Sequence, residues 1–223
     1  DGNTPLTAYT MARDLVAVVQ QAKEARVALV GHSMGGMVIQ ALWQHGENKH
    51  IADRIAGVVL TNTAYTADLR GWREGGVTQR AFERVEDVLQ RIPRPPKIVE
   101  RLRPGTNDFT MLVGRLAYGR DPSPRHIATS VRMYEGTPAE TLNAFIDLAR
   151  FDAHDALGSI DVPVLVITGS RDLITPPHLS EEIAARVPDA DLVTFEDCGH
   201  TSPFERHDEV SAYLMKFAER VLP

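Results

Sequence analysis

The chain has 223 residues, of which 43% are hydrophobic and 24% charged, which is typical of a globular protein and excludes collagen-like or wholly disordered sequence. Its 24 Lys and Arg residues and 30 Asp and Glu residues give a net charge of −6. This mildly acidic balance, without a basic block, argues against a nucleic-acid partner. No apolar run approaches the ~20 residues that cross a bilayer, so we expect no membrane span.

The composition also limits the metal and redox chemistry. A single cysteine, Cys198, excludes an internal disulfide framework and a multi-cysteine zinc site. It is compatible with a reducing compartment, and we expect a cytoplasmic protein. The histidines have no H-E-x-x-H spacing, and no nucleotide-binding G-x-G-x-x-G or P-loop motif occurs. We therefore expect no metal and no cofactor.

Apolar periodicity predicts alternating helices and strands from the start of the chain. Residues 8–25 fit an amphipathic helix whose apolar stripe is Leu15, Val18, Val19 and Ala22. Short aliphatic runs, typical of strands that are buried on both faces of a parallel sheet, then alternate with helical patterns. The predicted elements are a strand at 27–30, a helix at 34–45, strands at 56–60, 162–167 and 191–195, and a helix at about 207–221. This alternation predicts an α/β fold with a mostly parallel sheet flanked by helices.

Residues 66–155 break the alternation. They contain no aliphatic strand run, but they show helical periodicity punctuated by proline and glycine. We interpret this segment as a helical cap inserted between two strands of a core formed by residues 1–65 and 156–223. Further along, Thr175 before two prolines predicts a helix start with a capping hydroxyl.

The sequence GHSMGG at 31–36 carries the first chemical signal. It follows a predicted strand and opens a predicted helix, which is the context of a nucleophile elbow. On such a strained turn the hydroxyl of Ser33 projects, and the flanking glycines allow close backbone packing. The pattern therefore predicts Ser33 as a nucleophile, while a plain glycine-rich turn is the alternative.

A serine nucleophile needs a base and an acid that orients it. Asp172 follows the predicted strand at 162–167, and His200 lies in the loop after the predicted strand at 191–195. Both lie at carboxyl ends of strands, where sites of open α/β sheets form. The order serine, acid, histidine predicts a catalytic triad of Ser33, Asp172 and His200.

These motifs together resemble the α/β-hydrolase fold family. The matching segments are the elbow at 31–36, the sequence PVLVITGSRD at 163–172, and Cys198-Gly199-His200 with Glu205 downstream. The resemblance implies that residues 66–155 are a cap or lid over the active site. It also implies a hydrolase without a cofactor, because the serine at the elbow disfavours the carboxylate chemistry of epoxide hydrolases and dehalogenases.

The expected activity is hydrolysis of a carboxylic ester, or of a lactone or thioester, of a small to medium apolar substrate. In this esterase- or lipase-like reaction Ser33 forms an acyl-enzyme and the N–H of Met34 is one oxyanion donor. We expect substrate contacts from His32 and from apolar residues of the insertion, namely Phe109, Met111, Leu112, Leu116 and Tyr134. Carbon–carbon bond hydrolysis, cofactor-free perhydrolysis and a non-catalytic binding role remain alternatives.

Several other residues compete for a role. Asp197 is an alternative acid, although it lies close to His200 along the chain, and Cys198 is an alternative nucleophile without an evident base. Asp152 and Asp155 beside His154 could hold a metal, although a solvated hinge is the simpler interpretation. The basic residues between 70 and 103 could form a partner surface, although a solvated cap face is the simpler interpretation.

The family pattern also predicts a second oxyanion donor on a loop that precedes the elbow. Only 32 residues precede Ser33, whereas four strands, a helix and their connections need roughly 60. We therefore expect the N-terminal part of the core, and the second donor, to be missing from this sequence. An N-terminal segment or a second chain would complete the sheet, and without it the chain would be poorly soluble or inactive.

Overall fold

The computed structural model describes residues 6–66, 115, 117–120, 122–135 and 150–222. Its centre is a sheet of four parallel strands, each hydrogen-bonded to the next in chain order. The strands are β1 (Val27–His32), β2 (Ile55–Thr61), β3 (Val164–Gly169) and β4 (Ala190–Phe195). The predicted parallel sheet is therefore confirmed, with strand bounds that differ by up to two residues.

Helices pack against both faces of the sheet. Side chains alternate along a strand, so Val164 and Val166 of β3 pack into one core while Leu165 and Ile167 pack into the other. The first core includes α1, α2 and α4, and the second is covered by α6. The helices are α1 (Ala8–Gln21), α2 (Met34–Gln44), α3 (Pro124–Glu135), α4 (Pro177–Arg186), α5 (Ser202–Glu205) and α6 (His207–Val221), with short 3-10 turns at Glu47–His50, Ala52–Arg54 and His154–Ser159.

The first helix differs from its prediction in length and in buried face. It ends at Gln21, because Ala22 already has an extended backbone. Val18, predicted to lie on the apolar stripe, has 65% of its surface exposed. Val19 of the predicted stripe is buried, together with Ala8, Ala12 and Val16, which were not on it. Helix α1 packs against α2. Two of the buried residues of α1 are alanines, whose small side chains allow the two helices to lie close together.

The described residues bury the first strand on one face only. Leu29 and Gly31 of β1 are buried, but Val30 is 57% exposed. Every residue of β2, in contrast, is buried. Among the described residues β1 pairs only with β2, whereas β2 lies between two strands and under helices. Position in the sheet, and not the aliphatic sequence alone, decides the burial of each strand.

The ends of the inserted segment meet at one place on the core. Thr66 and Asp152 form an antiparallel bridge, and the N–H of Ala153 donates to the carbonyl of Tyr65 over 2.7 Å. Within the segment, α3 is a helix of 12 residues. The domain boundaries at 66 and 155 otherwise stay a prediction. No helix in the part of the chain that the structure describes is long and apolar enough to cross a membrane.

Candidate active site

The turn between β1 and α2 holds Ser33 in a strained conformation. Its φ of 52° and ψ of −121° lie in a region that residues with a side chain seldom adopt. A Cβ on Gly31 would lie 2.6 Å from backbone atoms of Gly35, and one on Gly36 would lie 2.5 Å from the Thr63 hydroxyl. Only glycine fits at these two positions. No described residue lies within 4 Å of a Cβ built on Gly35, so the described residues impose no steric need for glycine there.

A chain of hydrogen bonds joins the three residues predicted as a triad. The Oγ of Ser33 lies 2.9 Å from Nε2 of His200, and Nδ1 of His200 lies 2.9 Å from Oδ2 of Asp172. An ionised carboxylate only accepts hydrogen bonds, so Nδ1 of His200 carries a proton and Nε2 is free to accept one. The imidazole is thus in the tautomer that a general base for Ser33 requires.

Asp172 is 2% exposed and has donors on both of its oxygens. Oδ1 accepts the N–H groups of Ile174 and Thr175, each over 2.8 Å. Oδ2 accepts the Thr175 hydroxyl over 2.8 Å and the Asn62 amide over 3.0 Å, in addition to His200. Burial alone would raise the pKa of Asp172, but the hydrogen bonds from His200 and Thr175 hold it below its ordinary value. The carboxylate therefore stays charged in a buried site.

Two of these donors were not identified as site residues from the sequence. Thr175 was predicted to cap a helix, but α4 begins at Pro177 without a side-chain cap, and the hydroxyl of Thr175 donates to Asp172 instead. Asn62 follows β2 directly and lies at the same sheet edge as Ser33 and Asp172. A polar residue immediately after a buried strand was the available signal for Asn62.

Glu205 fixes the loop that carries His200. Its carboxylate accepts the N–H of Gly199 over 3.0 Å, the hydroxyl of Thr201 over 3.0 Å, and the N–H of Gly119 over 2.7 Å. Gly119 belongs to the inserted segment. One side chain therefore ties a described part of that segment to the histidine loop.

His32, predicted as a substrate contact, also supports this loop. Its Nε2–H donates to the carbonyl of His200 over 2.8 Å, and the two rings lie 5.0 Å apart. The residue is otherwise exposed. Its contact with substrate stays a prediction.

Met34, the predicted oxyanion donor, is the first residue of α2. The first N–H groups of a helix have no partner within the helix and carry partial positive charge. The position is therefore suited to a negative oxygen beside Ser33. The predicted pocket residues Phe109, Met111, Leu112 and Leu116, and the side chain of Tyr134, lie outside the described residues.

The alternative acid, the alternative nucleophile and a metal site find no support in the described surroundings of their residues. Asp197 faces solvent and pairs with Arg171 over 2.6 Å, away from the imidazole. Burial, followed by the nearby charge of Glu205, raises the pKa of the Cys198 thiol to about 12, so a thiolate does not form near neutral pH. In the described part of the chain, no group of three or more His, Cys, Asp or Glu residues could hold a metal ion.

Comparison with known proteins points to one family. Residues 1–213 match the sequence model of the alpha/beta hydrolase family. A pimeloyl-[acyl-carrier protein] methyl ester esterase of Neisseria meningitidis is 41% identical over 88 residues. That match covers 39% of this chain and 28% of the relative, so the chain spans less than a third of the length of this curated relative.

Two longer matches cover almost the whole chain. An AB hydrolase superfamily protein of Bacillus subtilis is 22% identical over 212 residues, which is 94% of this chain and 72% of that protein. The structure of a thermophilic esterase from Thermogutta terrifontis superposes with a TM-score of 0.75 at 25% identity. The superposition covers 99% of this chain and 75% of the esterase.

Proposed function

Because the chain belongs to the alpha/beta hydrolase family, we propose that it hydrolyses carboxylic esters through an acyl-enzyme on Ser33. The observation that carries the proposal is the continuous hydrogen-bonded chain from Ser33 through His200 to the buried carboxylate of Asp172. The neighbouring esterase structure and the methyl ester esterase relative support ester bonds as the substrate class.

The proposed reaction uses these residues in two steps. His200 Nε2 takes the hydroxyl proton while Ser33 Oγ attacks the ester carbonyl, and the Met34 N–H stabilises the oxyanion. Collapse of the tetrahedral intermediate breaks the carbon–oxygen bond, and His200 returns the proton to the leaving alcohol. A water molecule, deprotonated by His200, then cleaves the acyl-enzyme and regenerates Ser33. Asp172 keeps the imidazole oriented and stabilises its charged form.

A small to medium apolar acyl or alcohol group remains the proposed substrate range. It rests on the apolar residues predicted to line the site, Phe109, Met111, Leu112, Leu116 and Tyr134. Exchanging these residues should change the preferred chain length of the ester and leave labelling of Ser33 intact.

The direct test is turnover of p-nitrophenyl esters of increasing acyl length, together with labelling by a fluorophosphonate probe. We expect labelling at Ser33 and loss of turnover by a factor on the order of 10⁶ in Ser33→Ala. Ser159→Ala, on the surface turn His154–Ser159, is the control and should leave both readouts unchanged. Esterase activity that survives in Ser33→Ala would contradict the proposal.

A further inference from the structure

Asn62 is a buried polar residue that the proposed reaction does not yet use. It directly follows β2, has no exposed surface, and adopts a φ of 45°. Asparagine tolerates this left-handed conformation better than most residues do. A turn-forming role would explain the backbone, but it does not explain why the whole side-chain amide is hydrogen-bonded.

The amide of Asn62 connects three separate parts of the site. Its Nδ2 donates to Oδ2 of Asp172 over 3.0 Å and to the carbonyl of Gly199 over 3.1 Å. Its Oδ1 accepts the hydroxyl of Ser202. Since a carbonyl can only accept, the contact with Gly199 fixes which end of the amide is the NH₂ group.

We propose that Asn62 is a positioning residue of the hydrolysis proposed above, holding Asp172 and the loop that carries His200 in one fixed relation. The carboxylate and the imidazole belong to loops that follow different strands, β3 and β4. Asn62, after β2, is bonded to both loops through a single NH₂ group. A displacement of one loop relative to the other would break one of these two hydrogen bonds. The amide therefore couples the positions of the two loops.

The amide of Asn62 is a neutral donor, and this affects the charge of Asp172. The amide donates to the carboxylate without neutralising it, so the full negative charge of Asp172 is available when His200 becomes positive. With one donor fewer, the carboxylate would become more basic and would hold the imidazole proton more strongly. Removing the amide should therefore change the pH dependence of the reaction as well as its rate.

Two variants separate positioning from turn formation. Asn62→Gly keeps a residue suited to positive φ but removes the amide, whereas Asn62→Asp keeps the shape and replaces the donor by a second carboxylate facing Asp172. If Asn62 is a positioning residue, kcat falls about tenfold or more in Asn62→Gly and further in Asn62→Asp, with KM little changed. In Asn62→Gly the acidic limb of the kcat/KM profile moves to higher pH. If the residue only forms a turn, Asn62→Gly keeps the wild-type kcat and profile.

A matched control removes another buried amide close to the elbow. Gln40 is 1% exposed, and its Nε2 donates to the backbone carbonyls of Gly36 and Ala64. Gln40→Met should lower the melting temperature without moving the pH profile or the per-molecule turnover. A profile shifted equally in this variant would overturn the specific role of Asn62.

A second variant and a second readout keep the test decisive. If the Asn62 variants do not fold, Ser202→Ala frees the amide oxygen without touching Asp172, and kcat should fall severalfold; an unchanged kcat overturns the proposal. The far-downfield proton resonance of the His200 Nδ1–H reports on the bond to Asp172 directly. It should shift in the Asn62 variants and not in Gln40→Met. Because this signal needs no substrate, it tests Asn62 even if ester turnover, and with it the proposed function, fails.

Discussion

Two aspartates at neighbouring strand ends, Asp172 after β3 and Asp197 after β4, have opposite surroundings. Both have a pKa below its ordinary value. Asp172 is buried and bonded to neutral donors and to His200, whereas the side chain of Asp197 is 48% exposed and pairs with the guanidinium groups of Arg171 and Arg120. An arginine neutralises its partner permanently. Neutral donors keep a carboxylate ionised and leave its charge available to an imidazolium that forms during a reaction.

The comparison teaches that the aspartate nearer to His200 along the chain is not the one that contacts its imidazole. Asp197 lies three residues from His200, and Asp172 lies 28 residues away, yet only Asp172 contacts the imidazole. At Asp197 the backbone has a φ of 60°, and its side chain turns toward solvent. The following predictions test how far this difference between the buried carboxylate of Asp172 and the exposed, paired carboxylate of Asp197 holds.

Within this comparison of the two aspartates, Asp172→Asn has the largest expected effect. An amide at this position can present an NH₂ group to Nδ1, which favours the imidazole tautomer that has its proton on Nε2. That tautomer cannot accept the proton of Ser33, and kcat should fall about 10⁴-fold. Steady-state ester hydrolysis and the rate of fluorophosphonate labelling measure the loss. Wild-type turnover in this variant would remove Asp172 from the proposed reaction.

The next effect concerns the thiol that follows Asp197. With a pKa of about 12, Cys198 is almost entirely a neutral thiol at pH 8. Because alkylation requires the thiolate, iodoacetamide should react about 10³-fold more slowly with the folded protein than with the protein in urea. Mass spectrometry of the modified peptide over time measures both rates. Fast modification of the folded protein at pH 8 would contradict the buried, neutral thiol.

Thr175→Val should have an intermediate effect. It removes the hydroxyl bond to Asp172 at nearly constant volume, and at pH 7 the free energy of unfolding should fall by about 1.5–3 kcal/mol. Since the folded pKa of Asp172 is lowered, its stabilisation is present above the ordinary carboxyl pKa of 3.8 and is lost as the pH falls through the folded value. The difference from wild type should therefore shrink in acid. Urea unfolding at pH 7 and below pH 3.8 tests both parts.

The matched control for this variant lies at the end of β3. Thr168 has no exposed surface, and its hydroxyl has no hydrogen-bond partner among the described residues. Thr168→Val should be neutral or stabilising, because it removes a buried hydroxyl for which the described residues provide no hydrogen-bond partner. Equal destabilisation by the two substitutions would mean that the bond from Thr175 contributes nothing specific.

The smallest effect is expected at the exposed carboxylate. Asp197→Asn loses ion pairs that solvent screens, so ester turnover and the melting temperature should stay close to those of the wild type. The same assays as for Asp172→Asn apply, which makes the two variants a matched pair. A large loss of kcat in Asp197→Asn with little loss in Asp172→Asn would reverse the assignment of the acid.

Local sequence predicted much of this molecule. The alternation of aliphatic runs and helical periods predicted the parallel sheet, and α6 has the predicted bounds of 207–221. The elbow was predictable because a strained turn between a strand and a helix is formed by contiguous residues, and Gly31 and Gly36 mark the positions where a Cβ does not fit. Asp172 and His200 were predictable because strand ends of a parallel sheet meet at one edge.

Other features depended on neighbours that are far away along the chain. The aliphatic sequence of β1 does not reveal that Val30 faces outward, because burial depends on what covers a strand. Asn62 lies 110 residues from Asp172 and 137 from Gly199, so no spacing rule connects them. A hydrogen bond requires a donor and an acceptor about 3 Å apart and correctly aligned. Sequence supplied the chemical groups and predicted that Asp172 meets the imidazole of His200, whereas only the tertiary structure decided that the amide of Asn62 is bonded to Asp172 and to the loop of His200.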